Sequence, residues 1–169
     1  ADAKAIQLNP DYSEAYNNRG PAYYRQEQYQ KAMDDDGKAI HLDPDYSEAY
    51  NNRGLAYYIL DQDQKAIDDY GKAIQLDPDY SEAYNNRGLA YYILDQDQKA
   101  ISDYGKAIQL DPDYSAAYNN RGLAYSILDP YQKAITDYRS AMQMEPDHSQ
   151  ADNNPRHAHQ FFALIQKHS

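Results

Sequence analysis

Residues 47–80 read SEAYNNRGLAYYILDQDQKAIDDYGKAIQLDPDY, and residues 81–114 repeat the same 34 letters with one change, Ser102 in place of Asp68. Looser copies occupy residues 13–46 and 115–148, so one period fills most of the 169-residue chain. A fixed period of this size marks a stacked repeat array. Each unit can bury its apolar face only against its neighbours, which predicts an elongated solenoid and places function on a surface shared by several units.

Two helices are expected in each unit. From Glu48 to Leu60, apolar or small residues fall at Ala49, Tyr50, Gly54, Tyr57 and Leu60, a helical spacing along one face. From Gln64 to Leu76 the set is Ala66, Ile67, Tyr70, Ala73, Ile74 and Leu76. Asp61-Gln62-Asp63 separates the two, with Asp read as the cap that accepts free helical N–H groups. Pro78 ends the second helix. Asp79 with Glu82 three residues later reads as a capping box, as do Asp11 with Glu14 and Asp45 with Glu48; at Asp113 it fails because Ala116 replaces the acid.

The residues Tyr16-x2-Arg19-Gly20-x2-Tyr23, Ala32 and Pro44 form a pattern that resembles the tetratricopeptide repeat. It recurs at Tyr50, Arg53, Gly54, Tyr57, Ala66, Tyr70 and Pro78, then in the units at 81–114 and 115–148. The resemblance implies an all-α fold, a right-handed α-solenoid of antiparallel helix-turn-helix repeats. The expected division is a second-helix remnant at 1–12, four repeats at 13–46, 47–80, 81–114 and 115–148, and a capping helix within 149–169. Asn154-Pro155 is a good helix start, so that last helix is placed at about Pro155 to His168.

Arginine departs from the pattern. Where the family usually has leucine, this chain has Arg19, Arg53, Arg87 and Arg121 near the packed face. Asp35, Asp69, Asp103 and Asp137 follow sixteen residues later, which predicts an Arg–Asp ion pair inside every repeat; the alternative is a snorkelling Arg. The first repeat also departs, with Asp36 where the others carry Tyr70, Tyr104 and Tyr138, and Pro21 where they carry Leu55, Leu89 and Leu123. A kink or fraying is expected at Pro21. Gly37, Gly71 and Gly105 lie inside second helices, as close-approach positions or tolerated defects.

The face of the first helix opposite Tyr50, Gly54 and Tyr57 should line the inside of the solenoid. It offers ladders of Asn17, Asn51, Asn85 and Asn119; of Tyr24, Tyr58 and Tyr92; and of Leu55, Leu89 and Leu123, flanked by Asn18, Asn52, Asn86 and Asn120. Carboxamides that both donate and accept, beside tyrosines with polar tips, suit an extended peptide or partner helix. The alternative is a solvated inner face whose regularity reflects duplication. The lysines and arginine with which family members clamp an acidic C-terminal tail are missing here, and Glu14, Glu48 and Glu82 would repel one.

Composition narrows the classes further. A net charge of −11 and a pI near 4.7 oppose nucleic-acid binding, which depends on Lys and Arg. No apolar run approaches membrane-spanning length, and there is no cysteine. Repeated turn acids such as Asp77 with Asp79 could touch calcium but lack its twelve-residue loop, and His157 and His159 point apart on a helix. No catalytic constellation, metal site or cofactor site is read. Two functions follow: a non-catalytic scaffold that binds a peptide or protein segment, or a structural array joined head to tail through its incomplete ends. The near-identity of the units marks recent duplication or engineered repetition, and the cytoplasm is the default location.

Overall fold

The computed structural model describes residues 2–128 and 131–144. Among them are nine helices and no strands: α1 (Asp2–Leu8), α2 (Ser13–Arg25), α3 (Tyr29–Leu42), α4 (Ser47–Ile59), α5 (Asp63–Leu76), α6 (Ser81–Ile93), α7 (Asp97–Leu110), α8 (Ser115–Ile127) and α9 (Tyr131–Met144). Four hairpins, α2–α3, α4–α5, α6–α7 and α8–α9, stack so that each second helix also packs on the next first helix. First helices touch one another as well, α2 on α4, α4 on α6 and α6 on α8, and form the inner row of a right-handed α-solenoid. The capping helix expected within 149–169 lies outside the described residues.

Small residues allow this close stacking. Ala49 and Ala56 in α4, Ala66 and Ala73 in α5, and Ala83 and Ala90 in α6 are fully buried, one every two turns of each helix. Into the space they leave in each of the two middle hairpins goes one large side chain: Tyr70, 1% exposed, and its counterpart Tyr104. A Cβ on Gly54 would lie 2.8 Å from the Tyr70 ring, and one on Gly88 2.6 Å from that of Tyr104. These glycines are the seats of the buried rings, and burial of such a ring contributes roughly 1.5–3 kcal/mol.

The helix ends differ from the sequence expectation. Capping boxes do not form: the helices begin at Ser13, Ser47, Ser81 and Ser115, and the cap positions hold Tyr12, Tyr46, Tyr80 and Tyr114 with no side-chain cap bond. The acids instead brace the joints between repeats, where the Asp43, Asp77 and Asp111 carboxylates accept the N–H groups of Asp45, Asp79 and Asp113 at 3.1 Å. Within a hairpin, the first Asp of the turn is not a cap either. Glu27, Asp61 and Asp95 have φ of 56°, 57° and 56° and close the first helix in a Schellman turn, with the Gln62 N–H on the Tyr57 carbonyl at 2.8 Å. The interruption expected at Pro21 is absent as well. α2 continues through it to Arg25, and its packing on α3 and α4 offsets the one donor that proline lacks.

The candidate concave binding face

Every described repeat contains the same charged unit. Arg19 Nε and Nη2 donate to Asp35 Oδ2 and Oδ1, both at 2.6 Å. Arg53 meets Asp69 at 2.7 and 2.8 Å, Arg87 meets Asp103 at 2.7 and 2.8 Å, and Arg121 meets Asp137 at 2.8 Å twice. These are bidentate forks around nearly buried carboxylates, a geometry that lysine could not supply. The guanidinium also lies beside two rings of its own helix: Arg53 is 5.7 Å from the Tyr50 centroid and 5.9 Å from that of Tyr57. The hydrogen bond to the carboxylate raises the Arg53 pKa above its ordinary value, against the lowering effect of burial.

One partner of this unit escaped the sequence reading. A Cβ built on Gly37, Gly71 or Gly105 would meet Nη1 of Arg53, Arg87 or Arg121 at 3.9, 3.8 and 3.6 Å, so each glycine faces the arginine of the following repeat. The signal was a second sixteen-residue spacing. It ends with Arg139, at the glycine's place, and Pro155, where the next arginine would stand.

The asparagine ladder is part of the scaffold rather than a display. Asn52, Asn86 and Asn120 donate to the Oδ1 atoms of Asn17, Asn51 and Asn85 in the preceding repeat, at 2.9, 3.1 and 2.9 Å. Asn17 in turn donates to the Tyr46 hydroxyl at 3.2 Å, and Asn51 and Asn85 bond the equivalent Tyr80 and Tyr114. Asn17, Asn51 and Asn85 are buried in the joints between repeats, Asn51 to 1% exposure. Buried amides demand such partners, and the neighbouring repeat provides them. The tyrosine ladder changes likewise. Tyr58 and Tyr92 are buried in the core clusters of Tyr70 and Tyr104, and the half-buried Tyr24 donates to the Asn52 carbonyl oxygen. Leu123 is buried, Asn119 is half-buried and Asn18 is exposed. The hidden signal was the tyrosine ending each unit, at a cap position that normally favours Ser, Thr, Asp or Asn.

The open part of the inner face is a hollow of about 530 Å³ that spans α4, α6 and α8. Leu55, Leu89 and Tyr58 give it an apolar floor; Asn85, Asn86, Asn120 and Tyr114 give it polar walls. Glu82 is the one charged residue in this lining, and Ala116 holds the same place one repeat later. Burial, followed by the field of Glu82, holds the Tyr114 hydroxyl well above its ordinary pKa, so it remains a neutral donor and acceptor.

Family models match this geometry along the chain. One described as TPR repeat covers residues 22–61 and 54–95, and two described as tetratricopeptide repeat cover 81–114, and 3–34 with 104–136. The chain belongs to the tetratricopeptide repeat family. Among solved structures, this tetratricopeptide repeat chain is similar to MamA, at 31% identity and a TM-score of 0.77, covering 86% of this chain and 85% of that one. The first TPR of Spaghetti (RPAP3), bound to the HSP90 peptide SRMEEVD, shares 28% identity at a TM-score of 0.67, covering 69% and 94%. The Arabidopsis OM64 TPR domain shares 30% at a TM-score of 0.62, covering 69% and 93%. A search of curated protein sequences gave no significant match. In this chain the row of first helices α4, α6 and α8 carries the hollow.

Proposed function

We propose that the protein is a non-catalytic interaction scaffold that holds a peptide or partner segment in the concave hollow across α4, α6 and α8. The observation that carries this reading is the hollow itself, about 530 Å³ with Leu55 and Leu89 on its floor and acceptors on its walls. Leucine floors take apolar side chains, and the amide and hydroxyl groups around them fix a backbone. The asparagines that serve this role are Asn86 and Asn120, which each spend an amide proton on the preceding repeat but stay half-buried beside the hollow, whereas Asn51 and Asn85 are buried. A peptide like the SRMEEVD bound by the Spaghetti TPR suits this hollow poorly, since no lysine or arginine is in its lining and Glu82 faces any carboxylate.

A random displayed peptide library selected on the whole protein tests the proposal, with Ala116→Trp as a counter-selection target that fills the hollow. Enriched peptides that lose binding to the filled variant, at an unchanged melting temperature, support it. No enrichment, or equal binding to both proteins, contradicts it. Head-to-tail self-association is the competing reading, and light scattering that rises with protein concentration in the absence of peptide is the result that favours it.

A further inference from the structure

We infer that the occupant of the hollow is a basic amphipathic segment, whose apolar side chain enters between Leu55 and Leu89 while a lysine or arginine beside it faces Glu82, with no such charge toward repeat 4. The inference rests on the groove reading above and specifies the class of partner.

Glu14, Glu48 and Glu82 occupy the first turns of α2, α4 and α6, and these helices are neighbours in the inner row. Their fields overlap on the tyrosines at the joints: Glu48 and Glu14 both act on Tyr46, and Glu82 and Glu48 both act on Tyr80. No glutamate takes part in an ion pair among the described residues, where all four pairs join Arg to Asp. Lys65 and Lys99 lie over the rings of Tyr57 and Tyr91, at 5.4 and 5.2 Å. Asn86 and Asn120 each use an amide proton on the preceding repeat, which leaves their carbonyl oxygens as acceptors. Glu82 accepts one long hydrogen bond, from the Asn51 amide at 3.4 Å, but no cation balances its charge among the described residues, so the hollow combines an apolar floor with acceptors and a carboxylate that lacks an ion-pair partner. A cation completes it; a second anion is repelled.

The row also has a direction. Ala116 replaces the acid in the fourth repeat and lines the same hollow, so the wall is charged at the α6 side and neutral at the α8 side. A net charge of −11 adds a long-range attraction that brings a cationic segment to the array.

Fluorescence anisotropy with three synthetic nonapeptides tests this. They share two central leucines and alternate with lysine, glutamine or glutamate; a fourth keeps the lysines but carries alanine for leucine. The lysine–leucine peptide is expected to bind best, to lose about three- to tenfold in affinity on Glu82→Gln, and to gain on Ala116→Glu, both effects shrinking in 0.5 M salt, as expected of exposed charges. If the glutamine peptide binds as tightly, or Glu82→Gln changes nothing, the charge inference is overturned while the groove stands. Undiminished binding of the alanine peptide reduces the attraction to diffuse charge and overturns it too. If none of the leucine peptides binds, the groove reading falls with it.

Discussion

Asp36 is the residue most out of place. It is 0% exposed, and neither carboxylate oxygen has a hydrogen-bond partner among the described residues, at the position where repeats 2 and 3 bury a tyrosine ring. Burial first, and then the neighbouring Asp35, push its carboxyl from an ordinary 3.8 up to about 8, with Arg53 opposing. Below about pH 4 the carboxyl is protonated in both folded and unfolded chains and no penalty exists. Between about pH 4 and 8 the unfolded chain releases a proton that the folded one retains, so stability falls with rising pH by about 1.4 kcal/mol per unit and then levels off. Thermal melts of Asp36→Asn from pH 4 to 9 are expected to lose most of that slope, and Asp36→Tyr to melt higher than the parent at pH 7. A parent slope preserved in both variants contradicts the assignment. At the Arg–Asp unit, Arg87→Leu strands a nearly buried Asp103 and is expected to cost about 3 kcal/mol, more than the double variant that also replaces Asp103 by Leu. Urea melts of the two decide it, and an unchanged midpoint for Arg87→Leu rejects the pair as a stabilising contact.

At the scale of the helix, glycines of two kinds give opposite expectations. Gly88→Ala places a methyl 2.6 Å from the Tyr104 ring and is expected to destabilise by about 1–3 kcal/mol. Gly71→Ala meets only the tip of Arg87 at 3.8 Å, an ordinary contact, so the better helix propensity of alanine is expected to add about 1 kcal/mol. Denaturant midpoints of both variants check this, and equal signs contradict it. The helices themselves were legible because two strong periods, one per helix, recur in every unit. Their ends were less so. Asp79 and Glu82 fit a capping box by spacing, yet Tyr80 takes the cap position, where its hydroxyl bonds Asn51 in the first helix of its own repeat, a contact that local spacing does not encode.

For the whole molecule, the period made the array legible, and the alternation of 100° steps placed Leu55 and Leu89 on the inner face. It did not separate the asparagines buried in the joints between repeats from those half-buried beside the hollow. Asn51 and Asn52 are adjacent in sequence, but one is buried against the next repeat and the other is half-buried, and only stacking decides which. Nor does the groove extend evenly along the array: at repeat 1 the leucine of the floor is replaced by Pro21 and at repeat 4 the acid of the wall by Ala116, which confines the complete combination to the middle repeats. The peptide SRMEEVD is accordingly expected to show no saturable binding in calorimetry. Amide chemical-shift mapping of the lysine–leucine peptide on the labelled protein tests the central claim most directly. Shifts concentrated at Leu55, Glu82, Asn86, Leu89 and Asn120, with the second helices α5 and α7 unmoved, are the expected result; shifts confined to α5 and α7, or none at saturating peptide, contradict the account.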